Sequence, residues 1–581
     1  MSKYSGATRK RFGGDGGCCC KFLGPKHYTS IQSTFCLYRP VFPTILPSFA
    51  MISPSPEGSD FALRLSVLWL HSNVDLASLA RSTSIILLAS LIYLFVYRYF
   101  FHPLSGFPGP RLAPFSNALW FWTLLRGRAP WVNHSWHKRY GPVVRIGVNH
   151  LSFSTHAAQK IIYGFGTKKV PSFAKDPEFS TPEVDGTVNI IVEIDKQEHA
   201  RMRRMLSHGF STTNLLEHER IIHRRTDEMM DRLHALREEN GKPGIDIVKW
   251  SYHITYDITG EMCFGDTWEI QTAKQPQGKF HWADVITATT NVNDMLRAVC
   301  VVPGLSSLVT WLMPKALQDT IVRHAEYATE HTQARLAMET NRKDFVHHML
   351  HAKGCPRPTD AEIASHFQAI MLAGSITTAT FLPATIYYLC RAPLKRARLI
   401  KEIRERFPTE RDITARALMD ECPYLNAVCE ESLRVYPPAG AAHLTRVVPS
   451  GGCDIAGHWV PGGTRVSVHP WSILRDSTNF HAPDQFIPER WLPTEPESQR
   501  GDKLETHLPF SSGPRGCLGK NLAYLEMRII IAKFFWRFDV SWFDENVDWD
   551  RDSMGYTVWK KPDFRILVKQ RDDISVPTSG R

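Results

Sequence analysis

A cysteine near the C-terminus lies in a local sequence that suits a metal-bound thiolate. Cys517 falls in a glycine-rich turn, residues 510–519, and apolar residues recur at helical spacing over residues 522–532. The cysteine therefore precedes the N-terminus of an amphipathic helix, whose dipole favours the ionised sulfur. Such a thiolate can bind iron and push electron density onto the metal. A lone cysteine in such a turn could also be a merely buried thiol, and the other motifs decide between the two.

The residues around Cys517 each have a physical role if the iron belongs to a haem. Gly513 and Gly519 permit positive φ and close approach, Arg515 can reach a haem propionate, and Phe510 can shield the sulfur. Together they read F-x-x-G-x-R-x-C-x-G, which resembles the haem-binding signature of the cytochrome P450 family at every specified position. The resemblance implies a mainly α-helical fold with a small β region and an iron protoporphyrin IX (haem b) cofactor with an axial thiolate.

A second motif, Ala-Gly-Ser-Ile-Thr-Thr at residues 373–378, lies in a predicted helix that begins near Asp360. The resemblance implies that Gly374 opens room for dioxygen and that the Thr377 hydroxyl supports protonation of the oxygen. Family members usually carry an acid immediately before that threonine, whereas Ile376 stands there in this chain. This departure removes one member of the expected proton relay. A threonine in an apolar helix can also donate back to the i−4 carbonyl, which is the structural alternative for Thr377.

Two further motifs concern the support of the cofactor. Glu431 and Arg434 are three residues apart in a predicted helix, so they share a face, and Arg490 follows in a Phe-Ile-Pro-Glu-Arg-Trp segment. The resemblance implies that these three residues form a buried ionic network beneath the haem, where charges must pair with one another. They are expected to be structural, and their loss to cost haem retention.

A histidine and two arginines match the positions that bind haem propionates in the family. His199 and Arg203 are four residues apart in a predicted helix, and Arg446 follows the Tyr-Pro-Pro sequence at residues 436–438. The resemblance implies that these three cations neutralise the two propionate carboxylates in a low-dielectric pocket.

Substrate-lining segments are expected at residues 185–192, 366–371, 439–443 and 555–558, whose small and apolar side chains favour a lipophilic small molecule. His443 is a candidate polar contact to that molecule. Between the network residues, residues 459–469 carry a Pro-Gly-Gly-Thr turn and alternating side chains, which predict a β-hairpin.

The N-terminal part predicts a membrane anchor. Residues 82–97 are apolar and uncharged, and Arg98 and an aromatic run follow, so residues 82–102 are expected to form a single transmembrane segment. A buried core helix is the alternative. Residues 103–111 are rich in proline and glycine and resemble the stiff hinge that follows the anchor in microsomal family members. The resemblance places the enzyme in the endoplasmic reticulum membrane with its catalytic domain facing the cytosol.

Length and composition divide the chain into three predicted parts. Residues 1–81 are an N-terminal extension, expected to be partly disordered, with Met51 as an alternative start; residues 82–102 are the anchor; residues 103–581 form one large catalytic domain. The 12 cysteines show no paired spacing, which favours a reducing environment. The cluster Cys18, Cys19 and Cys20 could be acylated or bind metal.

The charge pattern bears on partners. The net charge of +11 is dispersed and is not interleaved with aromatic residues, so nucleic-acid binding is not expected. The resemblance implies that basic residues on the cysteine face dock an acidic NADPH-dependent cytochrome reductase, with cytochrome b5 as a further electron donor.

The resemblance implies a membrane-anchored haem-thiolate monooxygenase that hydroxylates or epoxidises a lipophilic small molecule. The segments at residues 139–142, 207–211 and 373–375 are similar to those of fungal members that tailor secondary metabolites such as mycotoxins. Ile376 supports an alternative, a haem-thiolate isomerase, dehydratase or peroxide-using enzyme that does not activate dioxygen. A non-catalytic haem-binding protein is a third reading, which the presence of Thr377 and of an anchor disfavours.

Overall fold

The computed structural model describes residues 76–571 apart from residues 169, 178–186, 239–243, 266–314, 339, 341 and 441–443. Several sequence predictions lie outside this range: most of the N-terminal extension with Met51 and Cys18 to Cys20, the first two residues of the 185–192 segment, and His443. Within the described residues the fold is mainly helical with small sheets, which confirms the predicted fold class.

The α-helices of the described residues are, in chain order, α1 Leu76–Val96, α2 Ala118–Leu125, α3 Ala129–Tyr140, α4 His156–Tyr163, α5 Lys196–Ser207, α6 Thr212–Glu238, α7 Ile247–Phe264, α8 Lys315–Ala337, α9 Phe345–Leu350, α10 Asp360–Arg391, α11 Pro393–Arg406, α12 Ala415–Glu421, α13 Pro423–Val435, α14 Pro470–Leu474, α15 Lys520–Arg537 and α16 Trp549–Asp552. One turn of π-helix, Tyr97–Phe101, continues α1. Short 3₁₀ segments are Glu410–Asp412, Pro488–Trp491, Pro496–Gln499, Leu504–Thr506 and Gly513–Arg515.

The strands are β1 Val143–Gly147, β2 His150–Phe153, β3 Ala174–Lys175, β4 Ile245–Asp246, β5 Arg446–Val447, β6 Cys453–Ile455, β7 His458–Val460, β8 Arg465–Val468, β9 Phe538–Trp542, β10 Met554–Gly555, β11 Trp559–Lys560 and β12 Arg565–Gln570. The largest sheet has the order β1-β2-β8-β5-β3, with β2 parallel to β8 and its other pairs antiparallel. A second sheet has the order β4-β12-β9.

The hairpin predicted over residues 459–469 is wrong. Strand β7 pairs with β6, with Cys453 opposite Val460, and the turn between them uses positive φ at Ala456 (55°) and Gly457 (86°). Strand β8 instead joins the largest sheet beside β2 and β5. The Pro-Gly-Gly-Thr segment therefore leads from one sheet to another and does not turn a strand back on itself.

Two long helices cross the core and position the site. Helix α10 begins where the Thr359 hydroxyl accepts the Glu362 amide at 3.1 Å, which agrees with the predicted start near Asp360. It packs against α7 on one side and α15 on another. Both α10 and α15 contribute many apolar side chains to one large apolar cluster, because both sequences are apolar on nearly every face.

Two described helices have the length and composition to cross a membrane. One is α10, which is mostly buried as a core helix, and the other covers Ala77–Phe101 and is entirely exposed. The N-terminal helix begins at Leu76 and includes Arg81, so it starts earlier than the predicted residue 82. At its end the Phe95 ring stacks on Phe115 with centroids 4.3 Å apart, and Arg98 donates to the Phe115 carbonyl at 2.7 Å.

Candidate functional site

The loop that carries Cys517 is wound tightly by its own backbone. The Cys517 amide donates to the Phe510 carbonyl at 2.9 Å, and the Gly516 amide donates to Gly513 at 3.1 Å. Gly513 has φ +71°, and a Cβ there would lie 2.1 Å from the Tyr163 carbonyl oxygen. Only glycine fits that position, as the sequence predicts.

Gly519 does not share this requirement, so the sequence reasoning was wrong about it. Its φ is −83°, and the nearest atom to an added Cβ would be a Phe210 ring carbon at 3.8 Å, an ordinary contact. Gly519 instead begins α15 as its N-cap residue, and its amide donates to the Cys517 sulfur. The glycine thus contributes a backbone donor, which a side chain would not remove.

Cys517 combines an accessible side chain with crowded surroundings. It is exposed to solvent, yet neighbouring atoms desolvate it enough to raise the pKa of its thiol. The Gly519 amide, Arg203 and Lys520 act in the opposite direction and favour the thiolate. A side chain that is exposed and yet desolvated lies in a recess of the surface. A thiolate in this recess could bind another group while two cations and one N–H stabilise its charge.

The Phe510 ring packs against Tyr524, with centroids 5.1 Å apart. The Tyr524 hydroxyl donates to Glu430 at 2.7 Å, and His507 contacts the other oxygen of Glu430 at 3.0 Å. This half-buried polar chain supports the Phe510 ring on the side of Tyr524. Tyr524, Glu430 and His507 belong to no motif, so their connection with Phe510 could not be predicted from local sequence.

Three arginines converge beside the cysteine loop. Arg203 donates to the Gly516 carbonyl at 2.7 Å, and Arg515 donates to the Glu193 and Ile194 carbonyls. Arg446 is buried and donates to the Thr445 carbonyl at 3.1 Å. All three donate to backbone carbonyl oxygens. None of these hydrogen bonds goes to a carboxylate that would neutralise the positive charge.

The pKa values reflect this crowding of cations. Burial and then the Arg446 charge lower the pKa of Arg515 to about 10, and burial lowers the pKa of Arg446. Burial, followed by Arg515, Lys175, Arg203 and Arg446, lowers the pKa of His199 to about 3. These surroundings favour the neutral form of His199 at physiological pH, and its role beside a haem propionate stays a prediction. Arg515 supplies the third guanidinium.

A bound group with two carboxylates would relieve the repulsion between these guanidinium groups. The accessible thiol and the cationic cluster meet in one region, since Arg203 contributes to the electrostatics of both Cys517 and His199. The donor set therefore fits haem, with a soft thiolate for the iron and guanidinium groups for the propionates. Lys175 is a fourth cation that the sequence did not reveal.

The predicted network of Glu431, Arg434 and Arg490 is present and fully buried. Arg434 makes two hydrogen bonds to Glu431, at 2.8 and 2.9 Å, and Arg490 makes one at 3.2 Å. Burial acts to raise the pKa of Glu431, but Arg434 and Arg490 outweigh it and hold the pKa below its usual value. The carboxylate is thus ionised inside the core.

The network is larger than the sequence indicates. Trp491 donates from its indole nitrogen to Glu431 at 2.9 Å, and Arg490 also pairs with Asp502. Arg434 donates to the carbonyls of Leu474 and Pro483 at 2.9 and 2.7 Å, so α13 is tied to the segment that follows α14. Asp502 has no local signal, because it reaches the network only through the tertiary fold.

The middle of α10 presents one open stripe in an otherwise buried helix. Ala373 is exposed, and Gly374 and Thr377 are half-buried, whereas Ile376 and Thr378 are buried. The Thr377 hydroxyl donates to the Ala373 carbonyl at 2.8 Å, which is the back-bond of the structural alternative. Its oxygen lone pairs remain free to accept a hydrogen bond from the open side.

Gly374 has a packing reason as well as its expected role. A Cβ at Gly374 would lie 3.2 Å from the Thr259 hydroxyl oxygen, so the glycine lets α10 approach α7 closely. Two of the expected substrate-lining segments also meet, because the Ile190 amide contacts the His366 ring at 3.4 Å. Gly555, which begins a third expected lining segment, donates from its amide to the Gly127 carbonyl at 2.7 Å.

Comparison with known proteins agrees with this geometry. A sequence model described as Cytochrome P450 matches residues 108–568. The cytochrome P450 monooxygenase astJ of Aspergillus oryzae is 36% identical over 479 residues, covering 82% of this chain and 94% of that protein. The cytochrome P450 monooxygenase aba2 of Botryotinia fuckeliana is 36% identical over 517 residues, covering 85% and 96%. The trichothecene C-15 hydroxylase of Fusarium sporotrichioides is 34% identical over 488 residues, covering 83% and 96%.

Proposed function

Because the chain belongs to the cytochrome P450 family, we propose that Cys517 is the axial thiolate ligand of a haem b and that the enzyme hydroxylates or epoxidises a lipophilic small molecule. The chain is a monooxygenase related to fungal enzymes of secondary metabolism, one of them a trichothecene hydroxylase, which supports a tailoring step in such a pathway. The isomerase, dehydratase, peroxide-using and non-catalytic alternatives are not favoured, because these relatives carry monooxygenase or hydroxylase names.

The observation that carries the proposal is the accessible Cys517 sulfur beside a cluster of buried guanidinium groups. Bound haem would supply the activation of dioxygen and the transfer of one oxygen atom to the substrate. Arg203, Arg446 and Arg515 would hold its propionates, with neutral His199 as a hydrogen-bond donor. The Gly519 amide would direct one hydrogen bond at the sulfur and moderate its negative charge.

On the open stripe of α10, Thr377 would accept a hydrogen bond through its hydroxyl oxygen while its own O–H donates to the Ala373 carbonyl. Gly374 and Ala373 leave room beside it, because neither has a side chain larger than a methyl group. Ile376, at the position where the resemblance leads us to expect an acid, is buried and offers no group that can donate a proton.

The proposal extends to electron supply and location. Electrons would come from NADPH through a cytochrome reductase, with cytochrome b5 as a further donor, docking on the basic face near Cys517. The exposed apolar helix Ala77–Phe101 would cross the endoplasmic reticulum membrane once and leave the catalytic domain in the cytosol. Residues 1–81 would remain a separate extension, and residues 103–581 would form the catalytic domain.

A carbon monoxide difference spectrum of the reduced protein tests the central claim. Thiolate ligation shifts the Soret band to the red, so the wild-type protein should show the shifted band and Cys517→Ala should lose it. Cys355→Ala is the matched control, because Cys355 is a free, half-buried cysteine outside the site. A haem-replete wild-type protein without the band, or Cys517→Ala with it, would refute the proposal.

A further inference from the structure

The open stripe of α10 is covered at its N-terminal end. His366 lies on the same face of the helix as Ile370, Ala373 and Thr377, because residues 366 and 377 are about three helical turns apart. Ala373 is exposed, and Ile370 and Thr377 are half-buried. His366 has no exposed surface. Another part of the chain therefore covers the stripe at His366 and leaves it open toward Thr377.

The segment of residues 189–194, which overlaps an expected substrate-lining segment, lies against His366. The Ile190 amide is 3.4 Å from His366 Nδ1, so the backbone of the segment reaches α10. The Ile190 side chain packs against the large apolar cluster. The Val192 amide donates to the Asn189 carbonyl at 3.1 Å, so the segment turns back on itself within a few residues. This short turn forms the cover over the end of the stripe.

Two cations hold the cover from the side of the cysteine loop. Lys175 donates to the carbonyl oxygens of residues 190 and 191, and Arg515 donates to those of residues 193 and 194. Arg515 lies in the loop of Cys517, whereas His366 lies on the helix of Thr377. The segment thus connects the two walls of the proposed site, and His366 is its polar contact with the wall that carries Thr377.

An ionised carboxylate fixes the orientation of the His366 ring. Glu362, one turn earlier on α10, lies 3.6 Å from His366 Nε2 and also pairs with Arg201 of α5. Burial acts to raise the pKa of Glu362, but His366 and Arg201 outweigh it and hold the pKa below its usual value. A carboxylate favours an N–H on the nitrogen that faces it, so Nε2 carries the ring proton. Nδ1 is then the nitrogen that accepts the Ile190 amide.

We propose that His366 is a positioning residue that fastens residues 189–194 over the end of the substrate site and thereby controls the release of bulky lipophilic ligands. With Nδ1 as acceptor, the Ile190 backbone stays on α10 and the cover is closed. Without that acceptor, the cover is held from the side of the cysteine loop alone and opens more often. This inference rests on the proposed function, because it takes the open stripe of α10 as the substrate side of the bound haem.

Hydrogen exchange of the holoprotein tests the contact itself. His366→Leu and His366→Asn have nearly the same shape, but asparagine places an oxygen near the position of Nδ1. The Ile190 amide should exchange about two- to tenfold faster in His366→Leu than in the wild type, as expected for the loss of one hydrogen bond. His366→Asn should restore most of the protection. Equal exchange in the two variants, or a rise of the same size throughout the protein, would overturn the inference.

Azoles that bind the haem iron report the opening of the cover without an identified substrate. Imidazole is small and econazole is bulky and lipophilic, and both change the absorption spectrum when they bind. Econazole should leave His366→Leu about two- to tenfold faster than the wild type, while imidazole release stays unchanged and His366→Asn behaves as the wild type. His150→Leu is the matched control, because His150 is also buried but its ring contacts Ser467 in the largest sheet. Unchanged econazole release from His366→Leu would overturn the inference.

The carbon monoxide spectrum separates this inference from the proposed function. If the shifted band is intact while Ile190 exchange and econazole release do not change, the inference fails and the proposed function stands. If His366→Leu does not retain haem, the wild-type holoprotein and His366→Asn decide the matter. A protected Ile190 amide in both would support the inference, and exchange at the rate of an unstructured peptide in the wild type would overturn it.

Discussion

The burial of Glu526, an acid on α15 that is 2% exposed, predicts a specific pH dependence of stability. Because its folded-state pKa is raised from 4.5 to about 8, the folded protein keeps a proton that the unfolded chain loses above pH 4.5. The contribution of Glu526 to the free energy of unfolding is therefore greatest below pH 4.5. It falls as pH rises toward 8 and then levels off. Glu526→Gln, which cannot ionise, should remove this dependence.

The magnitude follows from the size of the shift. Each pH unit between the two pKa values removes a little over about 1 kcal/mol, so raising the pH from about 5 to about 8 should cost roughly 3 to 4 kcal/mol. The matched domain has about 460 residues, for which the entropy of unfolding is about 1 kcal/mol/K. The melting temperature of the wild-type protein should therefore fall by about 3 to 4 °C more than that of Glu526→Gln over this range.

The assay is the thermal denaturation of the two holoproteins, followed by circular dichroism in parallel at each pH. Comparison of the difference between them removes the contributions of all other titrating groups. Glu405→Gln serves as a control, because Glu405 is 69% exposed and should follow the wild-type curve. Parallel curves for wild type and Glu526→Gln would refute the assignment of a protonated Glu526 at neutral pH.

Three other predictions concern the site and the anchor. Glu431→Gln leaves buried guanidinium groups without a counter-charge, so it should destabilise the protein by about 3 to 5 kcal/mol and lower the ratio of haem to protein in the purified sample; a normal ratio and melting temperature would contradict this. Gly513→Ala should abolish the shifted carbon monoxide band, because its Cβ would lie 2.1 Å from the Tyr163 carbonyl, whereas Gly519→Ala should retain it; equal effects of the two changes would show that the backbone argument fails. Deletion of residues 1–101 should move the protein from the membrane fraction to the supernatant with its haem spectrum intact, and a chain that still sediments with membranes would argue against the anchor.

Local sequence was sufficient where the chemistry is local. The start of α10 near Asp360, the loop before α15 and the pairing of Glu431 with Arg434 are encoded within a few residues, so they could be predicted. The mainly helical fold class could also be predicted, because the resemblance spans most of the chain.

Features that depend on distant contacts could not be predicted in this way. Strand β8 has the alternation of a hairpin strand, but it lies between β5 and β2, and β2 is more than 300 residues earlier in the chain. Asp502 and Glu526 are single acids whose surroundings depend on which helix or loop lies opposite them. His199 was expected to be charged because its sequence position matches a cationic one, but burial, and then the cations gathered around it by the fold, lower its pKa.

The stack of Phe95 on Phe115, together with the hydrogen bond from Arg98, fixes the catalytic domain to its proposed anchor. A flexible tether would let the domain tumble above the bilayer and present any face to the lipid. An anchor held to the domain by these contacts would instead restrict the tilt and the immersion depth of the domain. A lipophilic substrate dissolved in the membrane would then always meet the same face of the enzyme. The lipid phase would act as the reservoir from which the enzyme takes its substrate.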